Sequence, residues 1–286
     1  MERVGFIGLG IMGKPMALHL LEAGYQVGIL KSSKAIVALT EAGANTYDST
    51  KILTANSDII ITMLPDSPEV EEIVFGKNGV LEGISAGKLF IDMSTISPST
   101  AIKIYQQLKE KSVESLDAPV SGGQVGAESG TLSIMVGGKE AAFTRALPLF
   151  QCMGKNILLI GEPGAGQTTK ACNQMIVGIT IQAVAEAFAL AHKAGVDLEK
   201  MREVLLGGFA QSKILDLHGK RIIDANYKPG FKIRLHKKDL DIALATGASF
   251  SLALEGTALV AEKMKQVIAD GNGELDHSSL AILFKK

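Results

Sequence analysis

From the start of the chain to about residue 162, short runs of Val, Ile and Leu alternate with helix-length amphipathic stretches. That alternation predicts successive βαβ units and hence a parallel sheet with helices on its faces. The candidate strands are RVGFIGL, QVGIL, DIIITML, KLFIDMS, VESLDAP, LSIMVGG and NILLIG. After GEPGAGQ the pattern changes. From Thr168 onward apolar residues recur at helical spacing, interrupted by GVDLE, GGFAQS, ANYKPGF and ADGNGELD, with no alternating strand among them. The sequence therefore predicts an α/β chain: a doubly wound, mostly parallel sheet over residues 1–162, then an all-α domain over residues 163–286. A proline and three glycines between Gly161 and Gly166 mark the boundary. A length of 286 residues fits two domains, since single cores usually split beyond ~250 residues.

The first strand runs into GLGIMG, which sets Gly8, Gly10 and Gly13 in G-x-G-x-x-G spacing at the opening of a helix. The first glycine permits the tight turn, the second lets backbone approach a pyrophosphate, and the third lets helix and strand pack closely. The helix N-terminus then turns free N–H groups and a positive dipole end toward the phosphates. Pro15 suits the first helical turn. With strand, helix and the following βαβ pattern all in place, the N-terminal domain is expected to be of Rossmann type, with Gly8, Leu9, Gly10, Ile11, Met12 and Gly13 lining a dinucleotide.

An acid that hydrogen-bonds the adenosine ribose is expected ~20 residues further on. None occurs between Tyr25 and Thr40; Lys31, Ser32 and Ser33 stand there instead. A cation and two hydroxyls suit a 2′-phosphate, and a charge-assisted hydrogen bond is worth ~1.5–3 kcal/mol. The expected cofactor is NADPH, with NADH possible; a solvated Lys31 that tolerates both is the competing reading.

Net charge narrows the partners. At −1 it gives no overall basis for binding nucleic acid or an anionic membrane surface. The N-terminus reads as a first strand, without the basic region and cleavage site of a signal peptide. Met175–Ala191 approaches membrane-spanning length, but Gln182 and Glu186 interrupt it and no basic flank sets an orientation. It is expected to be a helix buried on most sides, which also suggests a homodimer or homotetramer. Two cysteines, Cys152 and Cys172, are too few for a disulfide framework and suit a reducing cytoplasm. No His/Cys/Asp group has metal-ligand spacing, so no metal is expected.

Four segments, FIGLGIMGKPMA, DAPVSGGQVGAESGTLSIMVGG, GAGQTTKACNQ and PGFKIRLHKKDL, resemble the β-hydroxyacid dehydrogenases, and the resemblance covers essentially the whole chain. It implies hydride transfer between a nicotinamide cofactor and a small carboxylate-bearing aldehyde. Within that family the motifs are most similar to the members that reduce tartronate semialdehyde to D-glycerate. Another short 3-hydroxy acid or semialdehyde, such as a 3-hydroxyisobutyrate-like one, is the near alternative. A cofactor-binding interaction protein without turnover is the alternative of a different class.

Hydride transfer leaves charge on the substrate oxygen, so a proton donor must reach it. Lys170 and Asn173, three residues apart, share a helical face. The resemblance implies that Lys170 is the general acid and Asn173 its positioning partner. In the oxidative direction Lys170 must accept a proton, which needs a pKa lowered by burial or nearby cations. Ser121, Gly122 and Gly123 offer a hydroxyl and uncovered backbone N–H groups, the makings of an anion nest for the substrate carboxylate. Met63, Leu64 and Pro65, with Thr95, occupy strand ends that by resemblance touch the nicotinamide half of the cofactor. Also by resemblance, Phe231 packs near the nicotinamide, Lys238 reaches into the cofactor and substrate cleft, and Asp239 holds Lys238. His236 is expected to be partly buried and structural, and Cys172 a small buried packing residue.

Overall fold

The computed structural model describes residues 1–284. Nine strands form one sheet: β1 (Arg3–Ile7), β2 (Gln26–Leu30), β3 (Asn45–Tyr47), β4 (Ile59–Thr62), β5 (Leu89–Asp92), β6 (Glu114–Asp117), β7 (Val120–Ser121), β8 (Leu132–Gly137) and β9 (Gly154–Gly161). Their order is β3-β2-β1-β4-β5-β6-β8-β7, with β9 paired to β8. The pairs from β3 through β6 are parallel, whereas β8 runs antiparallel to β6 and β7. All seven strands read from the sequence are present. The two missed, β3 and β7, span only three and two residues, too few for an alternating pattern to show.

Interleaved with the strands are α1 (Gly13–Glu22), α2 (Ile36–Glu41), α3 (Thr50–Ala55), α4 (Ser67–Phe75), α5 (Val80–Gly83), α6 (Pro98–Glu110), α7 (Gly123–Glu128) and α8 (Glu140–Met153). Central strands are apolar on both faces because both are covered. Along β4, Ile59 and Ile61 join one apolar core and Ile60 the other; along β5, Leu89 and Ile91 join the first and Phe90 the second. This is the two-residue period of a strand, carried into two helix-covered layers.

The remainder is helical: α9 (Ala165–Lys193), α10 (Leu198–Leu206), α11 (Lys213–Ile223), α12 (Ile233–Ser249), α13 (Glu255–Val267) and a final 3-10 segment, His277–Phe284. Its apolar residues gather around Ile181, Leu240 and Met264, and around Phe188, Leu215 and Ile222. The chain divides into two compact units, Met1–Lys170 and Ala171–Lys286, so the division lies inside α9 and not at its start.

Two expectations are corrected. Helix α9 is long and apolar enough to cross a membrane by length and composition, but only 39% of its most apolar window is buried. Ile176, Ile179 and Leu190 are exposed, so the helix is not buried on most sides. Cys172, near its start, is also exposed and not a packing residue.

Candidate active site

The first unit sets its candidate residues at the carboxyl ends of parallel strands. The order of strands reverses between β1 and β4, which is the switch point where open α/β sheets bind ligands. The β1–α1 loop carries Gly8, Leu9, Gly10, Ile11 and Met12; Met63, Leu64 and Pro65 follow β4, and Thr95 follows β5.

Each fingerprint glycine has its own reason. Gly8 has φ +96°, and a Cβ there would meet the Met63 carbonyl oxygen at 2.2 Å. A Cβ on Gly13 would stand 1.9 Å from the Gly8 carbonyl oxygen. Those two are demanded by the protein's own packing. Gly10 is different: among the described residues other than Gly10 and its two chain neighbours, no atom lies within 4 Å of where its Cβ would be. An absent side chain there keeps backbone approachable from outside the protein, as a pyrophosphate requires. Helix α1 opens with no side-chain cap and no acid in its first turn among the described residues, so no negative side chain there opposes an anion at its N-terminus. The residues present fit a dinucleotide.

Lys31 and Ser32 follow β2. The exposed Lys31 ammonium pairs with Asp48 at 2.7 Å, just beyond β3. Sequence distance hid this, because β3 itself was not read.

Below the loops lies a buried polar network that the sequence analysis did not single out. Thr62 donates to Asp92 at 2.7 Å, and the Ser94 hydroxyl accepts from the Leu64 N–H at 2.8 Å, joining the loops after β4 and β5. Gln167, in the first turn of α9, donates to the Ser94 carbonyl at 2.8 Å and accepts from the Ile96 N–H at 3.1 Å. Its side chain thus brackets Thr95. Asp117, at the end of β6, accepts from the backbone N–H groups of Gly164 at 2.7 Å and Gln167 at 2.8 Å, capping α9 from the sheet. Burial pushes the Asp117 carboxyl up to about 6, against the pull of those two donors and with a further push from the charge of Asp92. Lys170, one turn beyond Gln167, is itself buried. A cap supplied by a residue dozens of positions away leaves no local spacing to detect.

Ser121 lies in β7, while Gly122 and Gly123 have φ +138° and +60°. Both values lie in the left-handed region that favours glycine.

In the second unit, Asn173 donates to the Gln174 side chain at 2.7 Å, and Gln174 donates to the Asp239 carboxylate at 2.5 Å. Asp239 in turn holds the Lys238 ammonium at 2.9 Å. The expected Asp239–Lys238 pair is present, and buried Gln174 joins it to Asn173. Gln174 was passed over because a glutamine on an apolar helix carries no chemical signature of its own. Phe231 stacks near two histidines, with ring centroids 5.8 Å from His236 and 5.5 Å from His277. His236 is fully buried rather than partly so. His218, Asp276 and His277 also converge closely enough to suggest metal ligands, a grouping hidden by their separation in sequence.

A glycine-built phosphate loop at a sheet switch point, with a buried lysine one turn above the bracketed Thr95 loop, defines a nicotinamide-dependent oxidoreductase. Residues 3–161 match the family described as the NAD-binding domain of 6-phosphogluconate dehydrogenase. Residues 164–284 match that described as NAD-binding of NADP-dependent 3-hydroxyisobutyrate dehydrogenase. The chain is 48% identical to the 2-hydroxy-3-oxopropionate reductase of Escherichia coli, over 97% of this chain and 95% of that protein. It is 38% identical to the 3-hydroxyisobutyrate dehydrogenase of Pseudomonas aeruginosa, covering all of this chain and 99% of that one. Among solved structures, 3-hydroxyisobutyrate dehydrogenase of Mycobacterium tuberculosis with L-serine superposes with a TM-score of 0.92 at 32% identity, covering 100% of both chains. The chain belongs to the β-hydroxyacid dehydrogenase family.

Proposed function

We propose that this protein reduces tartronate semialdehyde (2-hydroxy-3-oxopropanoate) to D-glycerate, with NADPH preferred and NADH usable. The observation that carries this reading is buried Lys170, set one turn beyond Gln167, whose side chain bonds on either side of Thr95. The 48% identity to a 2-hydroxy-3-oxopropionate reductase supports the choice of substrate.

When bound, the nicotinamide supplies a hydride to the aldehyde carbon. Lys170 would deliver a proton to the carbonyl oxygen as charge develops there, leaving a primary alcohol, the oxidised cofactor and neutral Lys170, which solvent reprotonates. Asn173, held by Gln174, orients the reacting groups. Ser121 and the N–H groups of Gly122 and Gly123 receive the substrate carboxylate, and Lys238, steadied by Asp239, adds a positive charge. Gly8 to Gly13 hold the pyrophosphate; Met63, Leu64, Pro65, Thr95 and Phe231 position the nicotinamide half. Lys31 and Ser32 receive the 2′-phosphate.

We further propose a homodimer or homotetramer in the cytoplasm, with no nucleic acid, membrane or metal partner. Exposed apolar residues on α9 support the association, and two free cysteines suit a reducing compartment.

The test is kcat/KM on a panel of three- and four-carbon semialdehydes with NADPH and NADH side by side. Highest values for tartronate semialdehyde with NADPH are expected, and Lys170→Ala should lower kcat by ~10²–10⁴. Best activity on a four-carbon substrate would favour the 3-hydroxyisobutyrate-like alternative, which the 38% identical relative supports. Cofactor binding without turnover, unchanged by Lys170→Ala, would favour the interaction-protein reading.

A further inference from the structure

Strands β2 and β3 run side by side toward the end of the sheet where the adenosine half of a dinucleotide is expected, and each is followed by a charged residue. They pair in parallel, with Gly28 opposite Asn45, Ile29 opposite Thr46 and Leu30 opposite Tyr47. The Lys31 N–H donates to the Tyr47 carbonyl at 2.9 Å, which carries the pairing one residue beyond both strands. Lys31 and Asp48 are therefore neighbours through their backbones, and the ammonium meets the carboxylate at 2.7 Å.

Backbone rather than burial holds the carboxylate there, since the side chains of Lys31 and Asp48 are 53% and 70% exposed. The Tyr47 ring packs against Gly28, where a Cβ would stand 2.7 Å from its Cε2. On the other side of Asp48, the Ser49 hydroxyl accepts from the Ile52 N–H at 3.3 Å and caps α3. Asp48 thus stands between an anchored strand and a capped helix. Nearby polar groups are engaged elsewhere: the Ser33 hydroxyl accepts from the Ala35 N–H at 3.2 Å, and Lys51 pairs with Glu82 at 3.1 Å.

A cation already paired presents a different site from a bare one. A phosphate monoester carries about −1.5 to −2 charge near neutral pH. To bond Lys31, a 2′-phosphate must part the ion pair and then sit beside the carboxylate it has displaced, a like charge. A ribose 2′-hydroxyl brings no charge and leaves the pair intact. We propose that Asp48 is a specificity-determining residue for the cofactor: as counter-ion to Lys31 it opposes the 2′-phosphate alone, and so moderates the preference for NADPH and keeps NADH usable. The role rests on the reading of Lys31 and Ser32 as the 2′-phosphate site and is independent of the substrate.

Two other roles for the carboxylate predict different outcomes. If Asp48 oriented Lys31 for the phosphate, its removal would weaken NADPH. If it accepted from the ribose hydroxyls directly, its removal would weaken NADH. The exposure of both side chains favours competition. An exposed pair is weak enough for a phosphate to part, yet the charge left behind still acts over the ~8 Å screening length of physiological salt.

Isothermal titration calorimetry of the full-length protein with NADPH and with NADH tests this without turnover. At about 10 mM ionic strength, where the screening length is ~30 Å, Asp48→Asn should lower the NADPH Kd about fivefold and leave the NADH Kd within about twofold of the parent. At about 1 M salt, where it is ~3 Å, the gain for NADPH should shrink to within about twofold. Lys31→Ala should raise the NADPH Kd about tenfold or more and leave NADH unchanged. An NADPH Kd that Asp48→Asn leaves unchanged or raises would overturn the proposal, as would a raised NADH Kd or equal tightening of both cofactors. Weakened NADPH in Lys31→Ala without a gain in Asp48→Asn would remove the role of Asp48 alone. NADPH binding unaltered by Lys31→Ala would remove the phosphate site and the role of Asp48 with it.

Discussion

Residues that look alike in the fingerprint answer to different demands. Gly13→Ala forces a Cβ against the Gly8 carbonyl and should destabilise the protein by about 1–3 kcal/mol, read by urea unfolding. Gly10→Ala meets nothing among the described residues beyond its chain neighbours and should leave stability nearly unchanged while raising the dinucleotide Kd about tenfold or more, about 1.4 kcal/mol or more in binding. Equal effects of the two substitutions on stability would contradict this separation. Lys31 raises a second issue, because it comes with Asp48 attached. An exposed ion pair is worth only ~0–1 kcal/mol, so a 2′-phosphate can displace the carboxylate. Lys31→Asp should lower the NADPH-to-NADH ratio of kcat/KM at least about tenfold; an unchanged ratio would make Lys31 a solvated side chain.

At the scale of elements, the first turn of α9 depends on Asp117. Its folded-state carboxyl titrates near 6, above the ordinary 3.8, so folded protein binds a proton that unfolded chain has released. Its contribution to stability is therefore greatest below about pH 4 and is lost as pH rises toward 6, by up to about 3 kcal/mol. Urea unfolding of the parent and Asp117→Asn across that range should show their difference in stability shifting against the parent as pH rises. A constant difference would mean that Asp117 titrates normally. This element also shows where the sequence stops being informative. Strands of four or more residues and the glycine loop were legible because each is a local pattern, whereas the roles given to Lys170 and Asn173 came from resemblance and not from their spacing. Asp117, Gln167 and Gln174 were not, since each works through a partner brought near only by the fold. Helix α9 misled for a related reason: composition reports how much apolar surface a helix has, not whether its own chain covers it.

For the whole molecule, that uncovered surface bears on association. If a second copy covers α9, sedimentation equilibrium should give two or four times the chain mass, and Leu190→Glu, at a position 74% exposed, should shift it toward one. A monomeric parent would remove the oligomer proposal. The two matched families meet at residues 161 and 164, which invites exchange of the C-terminal half between relatives at that junction. The compact units divide later, after Lys170, because Gly164 and Gln167 are bonded to Asp117, Ser94 and Ile96 of the first unit. A chimera spliced at residue 162 would thus import a foreign helix start into a socket shaped for this one, whereas a splice beyond Lys170 would keep plug and socket matched.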